Sequence, residues 1–313
     1  MLTCRERLPK KVGSLGSKQT SQKEKAVIIT ELRRQHKLEH LLHLAGLARS
    51  SYYYHTQSIS FLDKYTDLVE NVKLIYNKNK GLYGYRRITL TLRKKFKAAV
   101  NFKTVAKIMR HLGLRSVIRV KKYKSYKGDV GKAAENILKR DFKAGQPHQK
   151  WVTDVTEFNV AGNKLYLSPV MDLFNGEIIS YNLSSSANYK QILDMLEKAF
   201  KRRKNDNKEH TETILHSDQG WQYRLQRYQK KLKENNITQS MSRKGNCLDN
   251  AIIENFFGVL KSELFYVKKY TSILQLAKEI KGYIKYYNNQ RIRINLNGMS
   301  PVEYRAHYIK NTA

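Results

Sequence analysis

Three β-patterned runs closed by tight turns, then a regular alternation of helix and strand, constrain residues 151–260 more than any other feature of the chain. The runs cover 152–160, 165–174 and 177–183, with Gly162-Asn163 and Asn175-Gly176 between them as hairpin turns. A helix over 189–203 follows, with Ile192, Leu193, Leu196 and Phe200 at helical spacing. A strand over 213–218, a helix around 223–235 and a strand over 237–241 come next. A helix around 249–257 closes the pattern. The expected fold is α/β: a mixed sheet of three antiparallel strands, then alternating helix and strand, with helices on both faces.

The N-terminal half reads differently. Residues 1–23 are polar and basic, expected to be flexible. Residues 24–114 form an all-α, helix-turn-helix region. Ala26, Ile29 and Leu32, then Leu38, Leu41, Leu42 and Leu44, follow helical spacing, and Ser50 or Ser51 is placed to cap a short helix carrying Tyr52 to Tyr54. A helix is expected over 63–78, broken after it by Gly81 and Gly84. Another starts at Tyr85, and a further one is capped by Asn101, with Val105, Ile108, Met109 and Leu112 on its apolar stripe. Two helices across a short turn suit docking into a DNA major groove. The cations placed for DNA contact there are Arg86, Arg87, Lys103, Lys107 and Arg110. Residues 115–147 form a basic linker in which Lys121, Lys122, Lys124 and Lys127 interleave with tyrosines, a pattern suited to phosphates and stacked bases. The expected catalytic core spans 148–266, and 267–313 is a C-terminal helical extension.

Charge names the partner. The chain has 60 Lys and Arg against 26 Asp and Glu, a net +34, of which residues 1–150 carry +25. Such an excess concerns partners rather than fold, and the polyanion it fits is nucleic acid. No run approaches the ~18–20 apolar residues of a spanning helix, and the N-terminus lacks the apolar stretch of a signal peptide. Cys4 and Cys247 are the only cysteines, which excludes a disulfide scaffold and a Cys-rich zinc module. A cytoplasmic, nucleoid-associated protein is expected, with no membrane partner.

In so basic a chain, three acids require explanation. Asp154 lies in a β-run, Asp218 ends another, and Glu254 lies in a helical stretch. Phosphodiester chemistry needs an activated oxygen nucleophile and stabilisation of charge on both the entering and the leaving oxygen. Two metal ions supply both. Mg²⁺ takes carboxylate and water oxygens with few protein ligands per ion, so three acids shared by two ions meet the need. Lys261 follows Glu254 by seven residues on one helical face, roughly 10.5 Å along the axis, where it would hold a phosphate. Asp172 reads as structural. Glu157 has the wrong strand parity to join Asp154. His216 either touches substrate or packs.

The residues around the acids carry a resemblance. Trp151-Val152-Thr153-Asp154-Val155-Thr156, the run from His216 to Tyr223 and the run from Gly245 to Phe257 resemble the integrase-core transposases of bacterial insertion sequences, in particular the second reading-frame product of the insertion-sequence-three family. Tyr85-Arg86-Arg87-Ile88, residues 101–114, Tyr287-Asn288-Asn289-Gln290-Arg291 and Ser300-Pro301 extend the likeness over nearly the whole chain beyond the first twenty residues. The resemblance implies a ribonuclease-H-like sheet and a catalytic and metal-binding triad of Asp154, Asp218 and Glu254. It also implies Mg²⁺ as cofactor, with Mn²⁺ as substitute, and cleavage of element ends followed by attack of the 3′-hydroxyl on another phosphodiester. The implied partners are the element's terminal inverted repeats, target DNA, further copies of the chain, and an upstream-frame product supplied separately or as a fusion. Arg293 stands where many relatives have His, and Asn255 where Ser is frequent. Two rivals share parts of this reading: a catalytically silent DNA-binding regulator of the element, and a hybrid-specific ribonuclease.

Overall fold

The computed structural model describes residues 20–117, 134–206 and 211–312. The chain divides into two compact units, residues 1–116 and 117–313. Among the described residues no helix is long and apolar enough to cross a membrane.

The first unit is all helical. Helix α1 (Gln22–Leu32) starts on a capping box, in which the Ser21 hydroxyl accepts from the Glu24 amide and the Glu24 carboxylate accepts from the Ser21 amide at 2.9 Å. Helix α2 (Leu38–Ala45) ends at Gly46, whose φ of 58° is the left-handed conformation glycine adopts freely. Helix α3 (Arg49–Lys64) completes a small core of Ala26, Ile29, Leu32, Leu41, Leu42, Ala45 and Tyr52. Three expectations change here. Leu44 is 52% exposed and Ala45 is buried instead, because Leu41, Leu42 and Ala45 share the inward stripe of α2. Ser50 and Ser51 lie inside the first turn of α3 and do not cap it. With no Gly or Pro to stop it, α3 runs through the expected start of the next helix, so α4 spans Thr66–Lys78.

Helices α5 (Tyr85–Phe96) and α6 (Phe102–His111) flank a short turn. Asn101 caps α6 as its position suggests, its Oδ1 accepting the Lys103 amide at 2.9 Å. Val105, Ile108 and Met109 are buried. Lys103, Lys107 and Arg110 recur at i, i+4 and i+7 on the exposed face.

The second unit is built on a six-stranded mixed sheet. Strand β3 (Asn163–Asp172) is its long member, with β1 (Lys150–Thr153) and β2 (Thr156–Val160) on one edge and β4 (Ile178–Ser184) on the other, all antiparallel to it. Strand β5 (Thr213–Ser217) pairs parallel with β1, and β6 (Ile237–Met241) pairs parallel with β5.

Strands β1 and β2 are a single line interrupted at Asp154-Val155. Thr153 pairs with Val170 and Thr156 with Leu167, so the register does not slip across the gap and Asp154 faces Pro169. The Leu173 amide donates to the Lys150 carbonyl, which places the doubly bonded antiparallel pairs at alternate residues, 152 with 171 and 154 with 169. Pro169 has no N–H to give Asp154, and the ladder opens there. The uninterrupted 152–160 strand expected from the alternation therefore breaks at the first of the three acids.

The β2–β3 hairpin also turns one residue earlier than its glycine suggests. Ala161 and Gly162 are the two central residues, at φ 49° and 80°, and Asn163 already belongs to β3. A two-residue turn with both φ positive favours Asn-Gly, and Ala bears a Cβ penalty at the first position. Ala161 is exposed. Ala161→Asn should stabilise the protein by about 0.5–1 kcal/mol, measured by urea unfolding; an unchanged or lower midpoint would contradict this turn geometry.

Both faces of the sheet are covered, as the alternation requires. Trp151, Val170 and Leu215 pack under α7 (Tyr189–Asn205) and α8 (Gln226–Glu234), with Met195, Leu196, Tyr228 and Leu232. Val152, Leu167 and Met171 point the other way and meet α9 (Ala251–Leu260) and α10 (Ile273–Asn289), with Phe256, Leu260, Ile280 and Ile284. At roughly 1.5–3 kcal/mol per fully buried large apolar side chain, these two layers dominate the favourable side of folding.

The closing signature of the chain consists of braces. The Asn288 side chain pairs with both backbone groups of Ile178 on edge strand β4, at 3.0 and 2.9 Å. Arg291 forms a buried ion pair with Glu263 at 2.7 Å, and the Tyr283 hydroxyl donates to the same carboxylate. Helix α11 (Pro301–Thr312) starts where the Pro301 carbonyl accepts from Asn175. Arg293 reaches the Asn175 carbonyl and the Tyr287 hydroxyl and lies over Gly176, bracing the β3–β4 turn.

Candidate active site

Asp154 and Asp218 each sit just beyond the carboxyl end of a strand, and β1 and β5 are parallel neighbours. Their last register pair is Val152 with His216. Continuing that offset by two residues sets Asp154 beside Asp218, about one inter-strand spacing (~4.8 Å) apart. The carboxyl ends of parallel strands are where open α/β sheets bind ligands.

Each acid has one oxygen held by the backbone of its own turn. Asp154 Oδ1 accepts the Val155 amide at 2.7 Å, and Asp218 Oδ1 accepts the Gly220 amide at 2.9 Å. Among the described residues, neither Oδ2 accepts a hydrogen bond. Gly220 is there for space as well, since a Cβ would come within 3.0 Å of Asp218 Oδ1 and 2.6 Å of Gln222 Nε2.

Glu254 enters from α9 on the opposite layer. The entry is fixed at Asn250, which is buried and donates through Nδ2 to the Thr153 carbonyl at 3.3 Å, one residue from Asp154. Glu254 follows one helical turn later, roughly 6 Å along the axis. Lys261 ends α9 and opens a π-helical turn, Lys261–Phe265, with its ammonium 5.2 Å from the centre of the Phe158 ring.

The four groups share one electrostatic site. Burial raises the Asp154 pKa well above the usual carboxylate value; the negative charges of Asp218 and Glu254 add to this, while the Val155 amide and Lys261 oppose it. Burial likewise raises Asp218, against the Gly220 amide and Arg224. The trio is a neighbourhood rather than a closed cage: among the described residues, no three His, Cys, Asp or Glu side chains are arranged to hold a metal ion.

The other candidates are placed elsewhere. Asp172 is buried and structural, accepting the amides of His148 at 2.7 Å and Phe174 at 3.0 Å, and burial pushes its pKa to about 7. Glu157 is exposed and pairs with Lys164 at 3.2 Å. His216 packs: its two ring nitrogens meet the hydroxyls of Ser240 and Ser242 at 2.8 and 3.1 Å, and burial pushes it down to about 4, hence neutral. In the first unit Arg86 is exposed beside Tyr85, Arg87 lies over the Tyr83 ring, and Lys107 lies 4.3 Å from the centre of the Phe61 ring. Lys121, Lys122, Lys124 and Lys127 lie outside the described residues.

Sequence reasoning overlooked what holds the site. Asp249 is fully buried and accepts from Asn136, from Arg140 Nε at 2.8 Å, and from the backbone and guanidinium of Arg243 at 2.9–3.0 Å. These contacts hold its carboxyl far below the ordinary range, the Arg243 side chain contributing most. Residues 134–142, within the stretch expected to be a linker, supply two of the partners and bury Leu138 against the α9 layer. The available signal was an acid in a basic stretch two residues before the helix it steadies.

Comparison with known proteins shows the family. Two integrase core domain models match residues 144–247 and 254–309, and an HTH-like domain model matches 64–122. The chain is 51% identical to the putative transposase InsK of insertion sequence element IS150 from Escherichia coli, over 89% of this chain and 96% of that one. The chain belongs to the integrase-core transposases of insertion sequences. It is also 32% identical to the transposase InsF of insertion sequence IS3A from Escherichia coli, over 90% of this chain and 98% of that one. Among solved structures, the transposase resembles the catalytic core of HTLV-2 integrase in complex with magnesium (16% identity, TM-score 0.39, 51% of this chain and 98% of that one) and the catalytic domain of Mos1 mariner transposase (12%, 0.36, 44% and 70%). The transposase is an enzyme of the polynucleotidyl transferase class.

Proposed function

We propose that the transposase cuts the ends of its element and joins the freed 3′-hydroxyl to another DNA phosphodiester at the site formed by Asp154, Asp218 and Glu254, with two divalent cations. The observation that carries this reading is the placement of Asp154 and Asp218 at neighbouring strand ends, with Glu254 one helical turn beyond the Asn250 that bonds the Asp154 strand and close enough to raise the Asp154 pKa, in a chain of net charge +34. The donor set fits Mg²⁺ or Mn²⁺: every candidate ligand is a carboxylate oxygen, and each ion needs only one or two of them. Two half-buried acids whose pKa values burial raises, Asp154 further by the charges of Asp218 and Glu254, are relieved by a cation. When bound, such ions activate the attacking oxygen and stabilise charge on the leaving one. Asp154, which feels both other acids, would hold the cations together with Asp218 and Glu254. The Val155 and Gly220 amides orient the first two carboxylates, and Lys261 holds a phosphate beside them.

The remaining basic groups serve binding. Lys103, Lys107 and Arg110 on α6, with Arg86 and Arg87 on α5, contact the phosphates or bases of the terminal inverted repeats, and Lys121, Lys122, Lys124 and Lys127 contact the backbone. The protein acts as an oligomer on paired ends and target DNA, with its upstream-frame partner.

Purified protein, with the upstream product supplied, is incubated with duplexes carrying the element's own ends. The expected products are a nick exposing a 3′-hydroxyl and a strand joined to a second duplex, in Mg²⁺ or Mn²⁺ and not in a chelator. Binding without nicking in either metal would instead indicate a silent regulator. Metal should also stabilise the fold: at a concentration a hundred times its Kd, by about 2.7 kcal/mol. Asp154→Asn should lose this stabilisation, and a variant that keeps it would remove Asp154 from the metal site.

A further inference from the structure

A concavity of about 290 Å³ opens beside the acid pair. Its walls include Val155, Ile192, Tyr166 and Ala187, together with Trp221 and Gln222. Val155 directly follows Asp154 and donates to it, while Trp221 and Gln222 lie three and four residues beyond Asp218. Both acids thus share their own loops with the pocket.

Trp221 is the unusual member. It is 51% exposed, while Trp151, the other tryptophan, is fully buried. Its backbone is firmly seated: it opens a 3₁₀ turn, Trp221–Arg224, in which the Tyr223 amide bonds to the Gly220 carbonyl at 3.0 Å and the Tyr223 ring is buried against Tyr228. The result is an aromatic side chain presented to solvent from a rigid base. The Gln222 amide adjoins Asp218 and has no hydrogen-bond partner among the described residues, so both its donor and its acceptor remain available. Glu157 also borders the pocket, with its charge offset by Lys164.

A flat aromatic, an apolar wall and a free amide match the face and edge of a nucleobase. Base–aromatic stacking tolerates any sequence because every base has a π-face, and an amide can bond a base edge. A base inside a paired duplex is not available for this, whereas an unpaired one is. We propose that this pocket receives one unpaired nucleobase of the DNA strand whose phosphate lies at Asp154 and Asp218, stacked on Trp221 and bonded at its edge by Gln222. The inference rests on the reading of those acids as the strand-transfer site.

The test uses full-length protein without metal, so no chemistry occurs. Trp221 fluorescence should be quenched by an element-end duplex with unpaired nucleotides at the candidate cleavage position, and much less by the same duplex fully paired. Trp221→Phe should abolish the quenching, which assigns the signal, and keep much of the affinity. Trp221→Ala should weaken binding of the unpaired substrate by about 5- to 150-fold, the range expected for one lost stack, with little change for the paired one. Because the side chain is half exposed, thermal unfolding should show both variants folded. Equal quenching by paired and unpaired ends, no quenching at all, or an affinity unaffected by Trp221→Ala would each overturn the proposal. Failure of the wild-type protein to cleave in Mg²⁺ would refute the catalytic reading and leave the quenching result to be judged separately.

Discussion

Asp154→Asn, Asp218→Asn and Glu254→Gln should each abolish metal-dependent cleavage, with losses beyond the ~10²–10³-fold that removal of one electrostatic donor costs an enzyme. Each change keeps the shape and removes the charge that holds a cation, so binding to element ends should survive. Retained strand transfer in all three would exclude the proposed mechanism. The Asp154 variant carries a second signature. Asp154 and Asp218 have raised pKa values in the folded protein, from burial and, for Asp154, from Asp218 as well. A carboxyl raised on folding stabilises the protein below its unfolded pKa of about 3.9, and that stabilisation is lost as pH rises through the folded value. Metal-free wild-type protein should therefore lose stability between mild acid and neutral pH. Asp154→Asn should flatten that slope and be at least as stable at pH 7, as urea midpoints across the range would show. An unchanged slope would mean that the pair is not under electrostatic strain.

The second large effect is structural. Asp249→Ala removes the acceptor of five hydrogen bonds, four from the side chains of Asn136, Arg140 and (twice) Arg243 and one from the Arg243 amide. Breaking a buried ion pair costs roughly 3–5 kcal/mol when a charge is stranded. Here the arginine side chains are 42% and 59% exposed and can regain water, so about 2–4 kcal/mol is expected. The Asp249 pKa is depressed in the folded state, so its contribution is present above the unfolded carboxylate value and lost only as pH falls through a value well below it. The gap between wild type and variant should hold from pH 5 to 8 and narrow only in strong acid. Since Asp249 adjoins Asn250, which ties α9 to the Asp154 strand, the variant should also bind Mn²⁺ more weakly. Undiminished metal stabilisation in a destabilised protein would limit Asp249 to a folding role.

Much of the fold around the candidate site was legible in the sequence alone. The alternation of apolar residues set β3, β4 and β6, and Ile192, Leu196 and Phe200 set the inward side of α7, where Met195 and Ala199 join them and Leu193 does not, because a side chain's face follows from local backbone geometry. Strand parity assigned Glu157 outward. Helix caps at Asn101 and turns at glycines are equally local. The expectations that failed were also local in form: Leu44, Ser50 and Gly162-Asn163 each fit a pattern that a neighbouring residue satisfies better.

What the amino-acid order determined by itself was therefore the set of elements, their faces, and the three acids embedded in a recognisable surround. Tertiary structure alone decided that Pro169 lies opposite Asp154 and opens the strand there, that Asp218 shares its level on the parallel neighbour, and that Arg140 and Arg243 converge on Asp249 to seat the Glu254 helix. Register and side-chain convergence join residues as far as 109 positions apart in the chain, as Arg140 and Asp249 are. No local periodicity encodes such pairings; they emerge only when the sheet and its two layers close upon one another.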